Sequence, residues 1–310
     1  MKTLSHIDLS AAAKPQVAHF FDGETWTLTY VVSDPATRRC AIIDPVLDLD
    51  YPSGTLNTVS ADRVIAYVKA QSLIVDYIIE THVHADHLTS APYLQEQLGG
   101  QIVIGSHITT VQETFAAVYN APSGFVVNGG QFDLMLSDND TLQIGDIACY
   151  AFHVPGHTPA CMAYLVGDAL FVGDTLFMPD AGSARCDFPG GDARTLFQSI
   201  RRLMTLPGNT RVFVCHDYQP DERELAFEST ISEQHKTNIH ANDSINEDQF
   251  VLMREARDAT LGMPALILPA LQVNMRAGHF PPADEDSRLF LRVPLNAFGG
   301  ANLSRFAAKN

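Results

Sequence analysis

The sequence predicts an α/β protein in which β-sheets are covered by helices. Three observations lead there. Runs of strand length, apolar or alternating, are interleaved with amphipathic stretches of helix length over the first two thirds of the chain. Of the 310 residues, 46% are apolar, enough to bury a sizeable core. Several strand-like runs end in a histidine or an aspartate, and strand ends are where α/β folds place their sites. The pattern alone leaves open whether the sheet is doubly wound or forms a sandwich with outer helices.

Taken in order, Trp26 to Val32 and Cys40 to Val46 read as strands joined by a turn at Asp34-Pro35. Ser60 to Ser72 reads as an amphipathic helix with Asp62 near its start. Val75 to Glu80 is a buried strand, and Ala91 to Leu98 a short helix stopped by Gly99-Gly100. Gln101 to Gly105 is a strand and Ser106 to Tyr119 a helix. Strands return at Thr141 to Ile144, Ile147 to Val154, Met162 to Val166 and Ala169 to Val172. Asp192 to Leu206 is a helix closed by Pro207-Gly208, with Arg201 and Arg202 on an expected solvated face; Arg211 to Cys215 is a strand. Asp221 to His235 and Glu247 to Leu261 look helical, and the tail from Gly262 is rich in Pro and Gly without clear periodicity. This organisation sets residues 1–234 as the main domain and 235–310 as a C-terminal extension packed on it.

The formal net charge of −16 repels phosphate backbones and anionic lipid, so neither nucleic acid nor a membrane surface is an expected partner. No run approaches the ~20 apolar residues of a membrane span. The first residues carry Lys2, but His6, Asp8 and Lys14 interrupt any apolar run, so no signal peptide is expected. The five cysteines, Cys40, Cys149, Cys161, Cys186 and Cys215, are scattered and form no C-x-x-C pair. They read as free thiols of a cytoplasmic protein, not as a disulfide framework or structural zinc site.

The chemistry is concentrated in His82-Val83-His84-Ala85-Asp86-His87, directly after the apolar strand VDYIIE. In an extended segment alternate residues share a face, so His82, His84 and Asp86 can point one way while His87 approaches from the side. Burying so many polar groups without a metal or partners is costly. Three further apolar strands each deliver one metal-type ligand at their ends: His157, Asp174 and His216. Imidazole and carboxylate donors suit zinc, iron and manganese.

In order and context, His82, His84, Asp86, His87, His157, Asp174 and His216 resemble the metallo-β-lactamase superfamily over about residues 25 to 220. The resemblance implies a four-layer αβ/βα sandwich with the metal at one edge of two facing sheets. On spacing alone a two-metal hydrolase is open. His82, His84 and His157 would hold one zinc ion, and Asp86, His87 and His216 the other, with Asp174 bridging, as in the glutathione thioesterase glyoxalase II. A longer likeness, Gly173 to Gly191 together with Leu271 to Gly278, resembles the persulfide dioxygenase branch, in its bacterial form with a long C-terminal extension.

That branch implies one Fe(II) per chain on His82, His157 and Asp174, a 2-His-1-carboxylate arrangement with open positions. It also implies oxidation of glutathione persulfide by O₂ to sulfite and glutathione. His84, Asp86, His87 and His216 then orient ligands and bound water. The resemblance further implies self-association. For substrate contacts the sequence offers Arg185, which beside Asp187 can both pin its loop and meet an anionic tripeptide, Tyr218 just after His216, and Arg276 in the extension. Cys186 has no adjacent base and reads as a structural thiol. His107, His235, His240 and His279 are expected at the surface, and Gly129-Gly130 and Gly299-Gly300 in turns.

Overall fold

The computed structural model describes residues 3–5, 7, 9 and 13–299; Lys2, His6, Asp8, Gly300 and the rest of the extension to residue 310 lie outside the described residues. The chain runs β1 (Gln16–Asp22), β2 (Thr27–Ser33), β3 (Arg39–Ile43), β4 (Val46–Asp50), β5 (Thr55–Asn57), α1 (Val59–Ala70), β6 (Ile74–Ile79), β7 (Leu88–Thr89), α2 (Ala91–Leu98), β8 (Gln101–Gly105), α3 (Ile108–Val118) and β9 (Leu134–Leu136). It continues through β10 (Thr141–Ile144), β11 (Ile147–His153), β12 (Met162–Val166), β13 (Ala169–Phe171), α4 (Ala193–Leu203), β14 (Arg211–Phe213), β15 (Glu228–Thr230), α5 (Ile231–Thr237), α6 (Glu247–Asp258) and α7 (Ile267–Asn274).

Two six-stranded sheets form, ordered β1-β2-β3-β6-β8-β9 and β10-β11-β12-β13-β14-β15, with a small third sheet β5-β4-β7. Period-2 alternation sorts the first sheet's side chains onto two faces. Leu28, Tyr30, Val32, Ala41, Ile43, Ile79 and Val103 face the second sheet and share its core with Cys149, Ala151, Tyr164 and Leu165. Val31, Cys40, Ile42, Ile78, Ile102 and Ile104 face outward under α1 and α3, through Val64, Val68, Val111 and Phe115. The outer side of the second sheet is closed by α4, whose Leu196, Phe197 and Ile200 join the central core. The result is the four-layer αβ/βα sandwich.

The late chain departs from the sequence reading. Residues 221–235 are not one helix. Gln219, Asp221 and Glu222 take left-handed backbone, with φ of 45°, 56° and 58°, which interrupts helix propagation. Arg223 and the Ala226 amide bond to the buried Asp217 carboxylate, and the chain then enters β15, paired antiparallel with β14. The 234/235 boundary falls inside α5. In the tail, α7 forms despite its proline, because Pro269 lies in the first turn, where its missing N–H costs no hydrogen bond. Ile267, Leu271 and Met275 of this segment pack into the core beneath α3, and Phe250 of α6 packs on Phe197 of α4, ring centroids 5.3 Å apart. Arg202 is also not solvated: it is buried and its guanidinium pairs with Asp138 at 2.7 Å. Among the described residues no helix is long and apolar enough to cross a membrane.

Candidate metal centre

Parallel pairing of β3 with β6, and of β13 with β14, aims their carboxyl ends toward one edge of the sandwich. At that edge Asp44 follows β3, the segment Thr81 to His87 follows β6, Asp174 follows β13 and His216 follows β14. His157 arrives on the loop after β11. The Leu28 amide bonds to Cys215 O at 2.8 Å, and Thr27 bridges His216, so the edge of the first sheet is stitched to the His216 strand. Two glycines permit the close approach. A Cβ on Gly173, whose φ is +50°, would sit 2.7 Å from Thr81 Oγ1; one on Gly156 would sit 2.3 Å from Leu196 Cα.

His82, His157 and Asp174 each place one ligand atom within 4.8 Å of the other two, and all three residues are buried. Hydrogen bonding fixes which ring nitrogen is free. Thr81 Oγ1 donates to Asp44 Oδ2 at 2.9 Å, so it accepts from His82 Nδ1–H, also at 2.9 Å, and leaves Nε2 with its lone pair. His157 Nδ1–H donates to Arg185 O at 2.6 Å and frees its own Nε2, which lies 3.5 Å from Asp174 Oδ2. His84 is held the other way round: Nε2–H donates to Asp44 Oδ1 at 3.0 Å, while Nδ1 is buried without a partner. Asp86 and His216 stand beside Asp174, with His216 Nε2 3.3 Å from Asp174 Oδ1 and 3.4 Å from Asp86 Oδ2. His87 Nδ1 contacts Asp86 at 3.3 Å.

Electrostatics match a cation site. Burial, reinforced by neighbouring imidazoles, pushes His82 and His84 well below the usual histidine range, so both are neutral ligands at pH 7. Burial opposes ionisation of Asp86, but His216 and His87 outweigh it and hold the carboxyl well below the usual range. Glu80 is pushed well above its usual range by burial and by the Asp44 charge, and Thr89 Oγ1 donates to its carboxyl. His84 Nδ1, His87 Nε2, His216 Nε2 and Asp174 Oδ1 are buried atoms without a hydrogen-bond partner. Four such orphans in one place are costly without an ion, and their donor types are those of zinc, iron or manganese sites. The residues fit a metal.

A cleft of about 1220 Å³ opens over this centre and is lined by His157, Asp174, Asp86, Arg185 and Tyr218 among others. The Tyr218 ring stacks on His216, centroids 5.7 Å apart, and is 49% exposed to the cleft side. Arg185 forms the expected pair with Asp187, at 2.6 and 2.8 Å, and also donates to Gly262 O. The Cys186 amide bonds to Asp258, and its thiol is pushed up to about 12 by burial, as befits a structural role. Arg276 does not line the cleft. It is buried elsewhere, its guanidinium 4.4 Å from the Phe125 ring centroid and bonded to Gln272 O, which corrects the reading of it as a substrate contact. His240 is not a surface residue either: it is buried, and its Nδ1 accepts the Ser183 amide at 3.0 Å.

Three residues that organise the site were missed in the sequence. Asp44 accepts from the Thr81 amide and hydroxyl and from His84. It ends the strand CAIID, the same pattern of an apolar run delivering a polar tip that marked the other ligands. Thr81, directly after the strand Val75 to Glu80, carries no metal-type donor and so no mark of its own. Asn274 of α7 donates to His84 O and His87 O and accepts from the Thr89 amide. Nothing local in the sequence signals that long-range contact.

Comparison with known proteins agrees with this geometry. A family profile described as the metallo-beta-lactamase superfamily matches residues 26–216. The chain belongs to the metallo-beta-lactamase superfamily, a class of metal-dependent enzymes. It is 50% identical over 291 residues to a probable metallo-hydrolase of Burkholderia pseudomallei, covering 91% of this chain and 99% of that one. It is 31% identical over 268 residues to the mitochondrial persulfide dioxygenase of Bos taurus, covering 85% and 89%. The crystal structure of ETHE1 from Myxococcus xanthus aligns with a TM-score of 0.68 at 29% identity, covering 85% of this chain and all of that one.

Proposed function

We propose that the protein is a persulfide dioxygenase that oxidises glutathione persulfide with O₂ and water to sulfite and glutathione, using one Fe(II) on His82, His157 and Asp174. The observation that carries this reading is the convergence of those three donors within 4.8 Å, with both imidazoles oriented by hydrogen bonds on their far nitrogens. The 31% identity to a persulfide dioxygenase over most of both chains supports it. Iron, when bound, supplies the site for O₂ activation. The chain's own residues then do the rest. Asp44 and Thr81 lock His82 in one tautomer, and the Arg185 carbonyl does the same for His157. Asp86 and His216 form a polar flank beside Asp174 that can take up and return protons as water is consumed. Tyr218 and Arg185 flank the substrate in the cleft. The same reading takes the chain as cytoplasmic and self-associating, with the segment beyond residue 234 as an extension that braces the site.

A second reading, a two-metal glutathione thioester hydrolase, is favoured by one specific observation. His87 Nε2 and His216 Nε2 are buried without partners beside Asp86, as ligands of a second ion would be. The metallo-hydrolase description of the Burkholderia relative points the same way. Metal analysis on protein purified without added zinc, combined with an oxygen electrode, separates the two. About one iron per chain, O₂ uptake on adding glutathione persulfide, and sulfite release support the dioxygenase. Two metals per chain with O₂-independent cleavage of S-lactoylglutathione would overturn it.

A further inference from the structure

The cleft wall carries many more carboxylates than cations. Asp22, Glu24, Asp48, Asp50 and Asp180 line it along with the acidic ligands at its floor. Among the described residues, Arg185, Arg254 and Arg257 are the arginines that line it, and no lysine does. Two of these are fully engaged. Arg185 gives Nε and Nη2 to Asp187 and Nη1 to Gly262 O. Arg254 gives Nε and Nη2 to Asp258 and Nη1 to Ser183 O, and is buried. Arg257, in the last turn of α6, is exposed, and among the described residues its guanidinium has no hydrogen-bond or ion-pair partner. Its charge is nonetheless felt at the buried His240, whose pKa burial lowers first and Arg254 and Arg257 lower further. A cation left unpaired in a cleft of a chain with net charge −16 is a site for an anion that the chain does not itself provide.

We propose that Arg257 is a specificity-determining residue that binds a carboxylate of the substrate. Its ligand class is a low-molecular-weight thiol derivative carrying a free carboxylate remote from sulfur. The inference rests on the proposed glutathione-dependent function, since the sulfur end must lie at the metal for the far end to meet the cleft wall. The guanidinium fork can take a carboxylate through two parallel hydrogen bonds, which a lysine ammonium cannot reproduce. Arg185 remains the loop-bracing cation and Arg257 becomes the recognition cation. Both are supplied or braced by the α6–α7 region, so the late part of the chain shapes which substrate enters.

The test measures binding of glutathione and of its diethyl ester, whose carboxylates are both blocked, to the metal-loaded protein by calorimetry. Wild type, Arg257→Gln and Arg257→Lys are compared, with Arg288→Gln as a charge control outside the cleft. Glutathione should bind Arg257→Gln about tenfold more weakly than wild type, with Arg257→Lys between them. The diester should bind wild type and Arg257→Gln alike, because the partner group is gone from one side or the other. In turnover, Arg257→Gln should raise KM and leave kcat near wild type. Equal weakening toward glutathione and diester, or none toward either, overturns the proposal, as does an equal loss in the Arg288 control. Glutathione is a product of both the dioxygenase and the thioesterase reactions. An O₂-independent reaction with the expected binding pattern would therefore sink the dioxygenase reading and leave Arg257 standing. Failure of wild type to bind glutathione at all sinks the Arg257 assignment.

Discussion

Replacing Asn274 tests whether α7 holds the metal-binding segment in place. Its side chain is buried and makes three hydrogen bonds to that segment: Nδ2 to His84 O at 2.9 Å and to His87 O at 2.7 Å, and Oδ1 from Thr89 N–H at 2.9 Å. His84, His87 and Thr89 are themselves buried, so Asn274→Ala leaves two carbonyls and one amide without partners. At about 1 kcal/mol net for each lost bond, the cost is about 3 kcal/mol, and more if water cannot enter. For a domain stabilised by roughly 5–15 kcal/mol that is a large share. Because the freed carbonyls flank two candidate ligands, metal affinity should fall as well. Asn274→Asp keeps the acceptor for Thr89 but sets a carboxylate against two carbonyls, and should be at least as damaging. Urea unfolding of the metal-free protein reads the stability change, and hydrogen exchange at the Thr89 amide reads the local one. A midpoint shift equivalent to less than about 1 kcal/mol, with Thr89 exchange unchanged, would refute the idea that α7 braces the site.

Three further outcomes are expected. His157→Ala should lose both bound iron and turnover, whereas His84→Ala should keep much of its iron if the site is mononuclear; retained iron with full turnover in the first would remove His157 from the ligand set. Asp44→Asn preserves a residue suited to the left-handed backbone there, φ 49°, but ends the charge-assisted bond to His84, so metal affinity should drop about ten- to a hundredfold in a competition titration. The folded pKa of His240, about 4, lies below its ordinary value of 6.5, so neutral His240 is favoured by folding. Its contribution is complete above pH 6.5 and is lost as the pH falls from there through about 4. The unfolding free energy of wild type should decline across that window, and His240→Asn should decline less steeply; identical slopes would show that His240 stays uncoupled from stability.

The ligand set was legible in the sequence because each ligand is a local event: an apolar run of strand length followed by a polar tip. His82, His84, Asp86, His87, His157, Asp174 and His216 all carry that mark, and so does Asp44, which the strand reading of Cys40 to Val46 hides inside a run. The central strands and helices were legible for the same reason, since burial of one face imposes period 2 or 3.6 on the side chains themselves. The segment after Tyr218 was not. Its polar composition admits a helix, and what redirects it into β15 is the free edge of β14 together with the buried Asp217 that gathers Arg223 and Ala226. Likewise, α7 exists because α3 and the first sheet offer it an apolar bed, a surface assembled from residues far away in the chain.

The sequence by itself determined the α/β class, the acidic character and the identity of the metal-type donors, because composition and short-range pattern dictate these. Only the tertiary structure decided which imidazole nitrogen is free, that Arg276 is buried away from the cleft while Arg257 within it has no partner among the described residues, and that Asn274 reaches back to His84 and His87. Those depend on contacts between segments up to 190 residues apart, and a hydrogen bond at that separation leaves no trace in local periodicity.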